Sequence, residues 1–159
     1  MKRLRGFLVL ALLSGCGFAQ AETMRPFVPG SAAEIRASHA GRPYILALWS
    51  ISCAHCADEL ALLGQMKEEY PALNLVLVST DTPDDRATLT SKLAQYRLAN
   101  SEQWVFADAF VERLRFELDP RWQGELPRRY LVGRDGSVRA VSGKLAALEL
   151  RRWLKLQQP

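Results

Sequence analysis

Cysteine and histidine are scarce in this sequence, which has three cysteines and two histidines among 159 residues. A structural zinc site usually takes four ligands, supplied by two cysteine pairs or by one pair and two suitably spaced histidines. Cys53 and Cys56 form the one close cysteine pair, and only His39 and His55 could add to it. This composition argues against a structural zinc site and directs attention to the cysteine pair itself.

Internal repeats and low-complexity stretches are absent from the chain. With 48% hydrophobic and 24% charged residues, the chain has the composition of a folded domain with a hydrophobic core. Its length is typical of one domain rather than two. These features predict a single globular domain and argue against disorder.

Acidic residues are missing from the first 15 positions, where Lys2, Arg3 and Arg5 supply positive charge. Subtracting these three charges from the net charge of +4 leaves +1. Most of the basic excess therefore belongs to the amino terminus and not to a binding face, which removes the main argument for a nucleic-acid partner.

A long apolar run is missing as well. The run at residues 7–13 follows a basic start and precedes small residues. It is shorter than the roughly 20 residues of a membrane-spanning helix, and the pattern is typical of an export signal. Two cleavage sites compete: residues 13–16 (Leu-Ser-Gly-Cys) resemble the lipobox of bacterial lipoproteins, and residues 19–21 (Ala-Gln-Ala) have the form of an ordinary signal-peptidase site. We favour the lipobox because all four of its positions match.

Lipobox processing predicts a signal peptide over residues 1–15, a lipidated Cys16, a tether over 16–30 and a folded domain over 31–159. Cleavage after Ala21 would instead discard Cys16 with the leader. Both outcomes leave two cysteines in the folded part of an exported chain, in a compartment where disulfides persist.

Hydrophobic patterning predicts alternating helices and buried strands, and hence an α/β sandwich in which helices flank a mixed central sheet. Ser31 and Glu34 have the spacing of a capping box, Thr82 followed by Pro83 is a helix start, and residues 135–136 (Asp-Gly) are a hairpin signal. The predicted helices are 31–40, 53–70, 82–98, 110–118 and 144–156, and the predicted strands are 44–49, 73–79, 103–107, 130–132 and 138–141.

The motif Cys53-Ala54-His55-Cys56 follows a predicted strand and opens a predicted helix. A thiolate at a helix amino terminus is stabilised by the positive end of the dipole and by unpaired backbone N–H groups, so its pKa falls and its reactivity rises. Two intervening residues allow the second sulfur to resolve a mixed disulfide. We therefore expect Cys53 to be the attacking thiol and Cys56 the buried resolving thiol.

Residues 48–59, which contain this motif, resemble the redox-site segment of the TlpA, ResA and DsbE branch of the thioredoxin superfamily. Residues 124–136 resemble the second signature of that branch, a loop with a cis-proline followed by a hairpin. The resemblance covers roughly residues 42–154. It implies a thioredoxin-like fold with an extra helix and strand between the motif helix and the cis-proline loop.

The resemblance also implies roles for single residues. Pro127 matches the proline beside the active-site disulfide, where the preceding Leu126 and the following Arg128 would contact an extended substrate segment. Trp49 matches an aromatic residue at the strand end, which is expected either to pack in the core or to be a further substrate contact. Glu59 matches an acidic position from which a carboxylate could exchange a proton with the resolving thiol through water.

Three positions depart from the pattern of the branch. Arg128 stands where the branch usually has a threonine after the proline, which favours acidic partner segments. Ser52 replaces the tryptophan that usually precedes the first cysteine, so the aromatic cover over the disulfide is in doubt. His55 is similar to the histidine of strongly oxidising DsbA-type proteins, and could stabilise the thiolate and raise the reduction potential. The direction of electron flow is therefore open.

The resemblance implies a monomeric periplasmic thiol–disulfide oxidoreductase that needs no organic cofactor or metal. We expect it to reduce disulfides of partner proteins, as cytochrome-maturation reductases do, with electrons from a membrane thiol donor. Gly17 stands where enteric-type lipoproteins retained at the inner membrane have aspartate, which favours an outer-membrane anchor. A copper-binding protein, with Cys53 and Cys56 as thiolate ligands and His55 or His39 completing the site, is the alternative.

Overall fold

The computed structural model describes residues 24–144 and 146–158. Its strands are β1 Arg25–Phe27, β2 Tyr44–Trp49, β3 Asn74–Ser79, β4 Glu102–Phe106, β5 Arg128–Val132 and β6 Val138–Ser142. Its helices are α1 Ser31–Ser38, α2 Cys56–Glu69, α3 Arg86–Gln95, α4 Val111–Leu118 and α5 Ala147–Gln157, with a 3-10 turn at Pro83–Asp85 before α3. Within these ranges no helix combines the length and hydropathy needed to cross a bilayer.

The strands form one mixed sheet in the order β1-β4-β3-β2-β5-β6. The pairs among β1 to β4 are parallel, while β5 is antiparallel to both β2 and β6. Parallel neighbours need crossover connections, which α2 and α3 provide. The predicted mixed α/β, thioredoxin-like architecture is therefore confirmed, including the extra helix and strand between α2 and the loop that leads into β5.

Strand β2 lies in the middle of the sheet, and all six of its residues are buried. Side chains alternate between the two faces of a strand. On one face Ala47 and Trp49 join the hydrophobic cluster that contains Cys56 and Leu60 of α2, and the alternate residues of β2 belong to the cluster on the other face. The segment that leads into the cysteine motif is thus held by packing on both sides.

Strand β1 lies inside the predicted tether over 16–30, so that prediction is wrong for its last part. Arg25–Phe27 pairs with β4, and Phe27 is fully buried, with its ring 5.3 Å from that of Phe106. Three residues with a proline among them carry no readable periodicity, and their burial comes from a partner strand far along the chain. Residues 16–23 of the tether, including Cys16, and the signal peptide lie outside the described residues.

The first helix begins differently from the prediction. Gly30, with φ of 94°, is the cap residue, and Ser31 is already helical. The Ser31 hydroxyl accepts a hydrogen bond from the backbone N–H of Val28 at 3.0 Å, while the Glu34 carboxylate pairs with Arg25. The predicted capping box is therefore wrong, because strand β1 provides another partner for the carboxylate.

Candidate redox site

Cys53 and Cys56 are joined by a disulfide, with their Cα atoms 5.3 Å apart. Cys56 is the first residue of α2 and is 1% exposed, whereas Cys53 lies in the preceding turn and is partly exposed. The helix therefore begins three residues later than predicted, and Cys53 stands just before its positive end. One cysteine is partly exposed and the other is buried, which is the asymmetry that sequential attack and resolution require.

Pro127 lies at the same end of the sheet as the disulfide. The peptide bond between Leu126 and Pro127 is cis, as the resemblance implies. The pairing of β2 with β5 ends with Leu48 opposite Arg128, so Pro127 follows at the level of Trp49, the last residue before the motif loop. Pro127 is itself buried, and Leu126 is partly exposed.

Glu59 is buried beneath the disulfide region and faces a buried arginine. The two residues are 5% and 0% exposed, and Nε of Arg129 lies 2.8 Å from Oε1 of Glu59. Glu59 is one helical turn beyond Cys56, on the face of α2 that packs against the sheet. Arg129 pairs in register with Ala47, whose side chain belongs to the same cluster. The sheet and the helix thus bring together two charges that are 70 positions apart.

The electrostatics of this pair are dominated by burial. Burial raises the pKa of Glu59 to about 7, and the positive charge of Arg129 opposes that rise. Burial lowers the pKa of Arg129, and the charges of Glu59 and Glu149 oppose that change. The Nε and Oε1 atoms approach closely but are not aligned for a hydrogen bond, and Nη1 of Arg129 has no partner among the described residues. Nη2 donates to the carbonyl of Gly143.

A second polar group holds the segment in front of Cys53. The Asp81 carboxylate accepts hydrogen bonds from the Ser50 hydroxyl at 2.7 Å, the Ile51 backbone N–H at 3.0 Å and the Ser79 hydroxyl at 2.7 Å. The Ser52 hydroxyl is 2.8 Å from that of Ser50. Ser52, which replaces the usual tryptophan, is therefore part of a hydroxyl network anchored on the end of β3.

Sequence reasoning missed Arg129 and Asp81. In β5, Arg129 alternates with Leu131, which belongs to the α2-facing cluster, so strand periodicity could have placed the arginine inside. Asp81 has no comparable signal, because its partners Ser50 and Ile51 are about 30 positions away and only strand pairing brings them close.

Two of the predicted substrate contacts, Trp49 and Arg128, pack against other parts of the protein in the structure. Trp49 is 1% exposed and packs in the core, so its prediction as a substrate contact is wrong. The side chain of Arg128 is 13% exposed, and its guanidinium donates to Asp119 at 2.7 Å and to Ser142 at 2.7 Å. An acidic substrate segment would have to compete with Asp119, so the position of Arg128 favours a structural role.

The two histidines are far apart. His55 is exposed directly before α2, where the predicted tuning of the disulfide stays a prediction. His39 stacks on Tyr44 at 4.7 Å, and its Nε2 lies 2.8 Å from Glu102. Tyr44 starts β2 and Cys53 follows its end, so roughly 15 Å of strand lies between them. The prediction of His39 as a copper ligand beside the cysteines is therefore wrong, and the described residues contain no cluster of three or more histidine, cysteine or acidic side chains placed for a metal.

No protein-family model matches the sequence, and the search of curated proteins gives no match. Solved structures do match the fold. A secreted disulfide oxidoreductase of Mycobacterium tuberculosis, described as homologous to DsbE of E. coli, is 24% identical, with 76% of this chain and 85% of that chain covered and a TM-score of 0.60. DsbF of M. tuberculosis is 23% identical, with 76% of this chain and 84% of that chain covered and a TM-score of 0.61. StoA of Bacillus subtilis is 18% identical, with 72% of this chain and 84% of that chain covered and a TM-score of 0.52.

These structures agree with the resemblance found in the two sequence segments. At identities of 24% and below, the comparison concerns the fold, and the covered share of each chain shows that nearly the whole domain takes part. The chain therefore has the thioredoxin-like fold, which it shares with a secreted disulfide oxidoreductase homologous to DsbE, with DsbF and with StoA.

Proposed function

We propose that this chain is an exported thiol–disulfide oxidoreductase that works through Cys53 and Cys56. The observation that carries the proposal is the disulfide between a partly exposed cysteine and a buried cysteine at the start of α2. The helix terminus would stabilise the Cys53 thiolate in the reduced protein. The secreted disulfide oxidoreductase among its structural neighbours supports the same chemistry.

In the reducing direction, the Cys53 thiolate attacks one sulfur of a partner disulfide, and the other partner sulfur leaves as a thiolate. Cys56 then loses its proton and attacks the Cys53 sulfur, which releases the second partner sulfur. Two electrons pass from the cysteine pair to the partner, both partner sulfurs end as thiols, and the Cys53–Cys56 disulfide is formed.

Glu59 is the proposed base for the second step, because it lies one helical turn from Cys56 and its pKa of about 7 allows it to accept a proton at neutral pH. Leu126 is the proposed substrate contact, since it is partly exposed beside the motif end of β2. His55 is proposed to tune the potential from its exposed position in the motif.

The physiological setting is also part of the proposal. The leader at residues 1–15 supports export, and Cys16 would carry lipid that holds the domain at a membrane, with the outer membrane favoured by Gly17. We infer a reductase of periplasmic partner proteins, supplied with electrons by a membrane thiol donor. A reduction potential near thioredoxin's value of roughly −270 mV would support that direction, and one near DsbA's value of roughly −120 mV would reverse it.

The reaction can be tested with a protein substrate that carries a mixed disulfide. Replacing Cys53 with serine should abolish reduction, because no attacking sulfur remains. Replacing Cys56 with serine should leave the attack intact and trap the partner on Cys53 as a covalent complex, visible on non-reducing gels and cleaved by added dithiol. Full activity of the Cys53→Ser variant would refute the proposal.

The anchor has its own test, which leaves the redox chemistry untouched. Intact mass and membrane fractionation of the native protein should show a lipid-modified chain that begins at Cys16. A soluble product that begins at Glu22 and has no added mass would remove the anchor and support cleavage after Ala21.

A further inference from the structure

We propose that Arg129 is a positioning residue that keeps Glu59 in its carboxylate form beneath Cys56 and so sets the pH range in which the resolving thiol can be deprotonated. This inference rests on the proposed function, since it concerns the second step of the exchange. Arg129 is fully buried and does not reach the surface where a substrate would lie.

The charged groups around Glu59 come from few elements. Helix α2 provides Glu59 itself and Cys56, and β5 provides Arg129 at 2.8 Å. Helix α5 provides Glu149, whose charge acts on Arg129 and whose carboxylate pairs with the exposed Arg139 of β6. Among the described residues, Arg129 is the charged group that acts on the pKa of Glu59. Arg129 is therefore the positive charge that faces Glu59.

A carboxylate buried among hydrophobic side chains is not stable without a positive charge beside it. Without a counter-charge, a buried carboxyl group takes up a proton and becomes neutral. An arginine keeps its positive charge at any pH at which the protein is folded, because its pKa is too high for deprotonation. Arg129 lowers the pKa of Glu59 against the opposing effect of burial, which leaves it at about 7.

The charge state of Glu59 decides whether it can accept the proton of Cys56. When the mixed disulfide is resolved, that proton moves from the Cys56 sulfur to the Glu59 carboxylate, the Cys56 thiolate attacks the Cys53 sulfur, and Glu59 returns the proton to solvent. With Arg129 present, about half of Glu59 is ready to accept the proton at neutral pH. Without Arg129, Glu59 is a carboxylic acid and cannot act as the base.

The test is the rate of mixed-disulfide resolution as a function of pH in single-turnover experiments. The wild type should show a rise in rate with a midpoint near pH 7, which follows the ionisation of Glu59. Arg129→Met should move the midpoint upward by about 1–3 pH units, with a rate at pH 7 lower by about fivefold or more. Arg129→Lys should move it by a smaller amount, because its charge is kept on a shorter side chain.

Two controls separate this role from a merely structural one. Arg139→Met removes an exposed arginine of the neighbouring strand and should leave the midpoint unchanged. Glu59→Gln should abolish the rise, and adding Arg129→Met to it should cause no further change in the pH profile. An unchanged midpoint in folded Arg129→Met would overturn the inference, as would an equal shift in the absence of Glu59. If Arg129→Met does not fold, a midpoint of Arg129→Lys equal to that of the wild type overturns the inference.

The inference can fail separately from the proposed function. NMR titration of the Glu59 carboxyl carbon in the oxidised protein needs no substrate and should give a higher midpoint in Arg129→Met than in the wild type. If that difference is found and the protein has no exchange activity, the proposed function fails and the ion pair stands. If activity is present and the midpoints are equal, the role of Arg129 fails alone.

Discussion

Two polar regions flank the disulfide, and they are built in opposite ways. In front of Cys53, the carboxylate of Asp81 is partly exposed and accepts three hydrogen bonds from Ser50, Ile51 and Ser79. Behind Cys56, Glu59 and Arg129 are buried, and their closest atoms are not aligned for a hydrogen bond. The first region gains stability from hydrogen bonds, whereas burial makes the second costly.

The two regions differ in what they contribute around the cysteine pair. The network at Asp81 fixes the backbone that precedes Cys53, because one of its donors is the Ile51 main-chain N–H. The pair at Glu59 does little to fix geometry, but it places a group that titrates near neutral pH next to the resolving cysteine. Under our proposal, this costly buried pair provides a proton acceptor rather than stability.

The largest expected effect that would sharpen this contrast is a pH dependence of stability. The folded pKa of Glu59, about 7, lies above its ordinary value of 4.5, so the folded state binds the proton more tightly than the unfolded state. The contribution of Glu59 to the unfolding free energy should therefore be complete below pH 4.5 and be lost between pH 4.5 and about 7, by on the order of 3 kcal/mol.

Urea unfolding of the oxidised protein across this range measures the effect. Other carboxyl groups titrate as well, so the quantity to compare is the difference between the wild type and Glu59→Gln at each pH. A difference that stays constant from pH 4 to pH 8 would contradict the raised pKa.

Replacing both members of the buried pair by apolar residues is expected to stabilise the protein at pH 8. The combined variant Glu59→Leu and Arg129→Met removes two desolvated charges while it roughly preserves the buried volume, and we expect a gain of about 2 kcal/mol in the unfolding free energy. The same variant should lose resolving activity at neutral pH. A clear loss of stability would show that the ion pair contributes to the fold.

The network at Asp81 is expected to respond in the opposite direction. Asp81→Asn keeps the size of the side chain but removes the charge that strengthens three hydrogen bonds, and should lower the unfolding free energy by about 1–2 kcal/mol. Amide hydrogen exchange at Ile51 should become faster. The exposed Asp84 is the matched control, and Asp84→Asn should change neither quantity. Equal exchange rates in the two variants would remove the proposed anchoring role.

The smallest effect is expected at an exposed ion pair of the same sheet. Arg139 and Glu149 pair across β6 and α5 with side chains that are 49% and 45% exposed. Arg139→Met should lower the unfolding free energy by less than about 1 kcal/mol, and high salt should reduce the difference further. If Arg139→Met lowers the unfolding free energy as much as Asp81→Asn does, solvent exposure does not explain why the polar regions of this protein differ in their effect on stability.

Much of the fold was predictable because its signals are local. Strand β2 was predicted with the bounds that the structure shows, since an apolar run between turn residues suffices to mark a buried strand. The helix start at Thr82 was recognised because Pro83 follows it, and the structure adds that Asp85 accepts hydrogen bonds from Thr82. Strand β1 was missed because its burial depends on pairing with β4, about 80 residues later.

The candidate site divides in the same manner. Cys53, Cys56 and the cis-proline at Pro127 were predicted from short motifs and their family resemblance, and the structure shows the disulfide and the cis bond. For Trp49 the sequence left two interpretations, a core residue and a substrate contact. Its burial follows from strand alternation combined with the packing of α2 on that face.

By itself, the sequence determined the cysteine pair and the alternation of helices and strands, and it led to the proposal of thiol exchange, because these depend on residue type and on spacings of a few positions. Only the tertiary structure decided that Glu59 meets Arg129 and that Asp81 holds the segment before Cys53. Both contacts join residues of separate elements through the register of the sheet, and burial, which sets the cost and the pKa of a charge, is a property of all the elements packed around it.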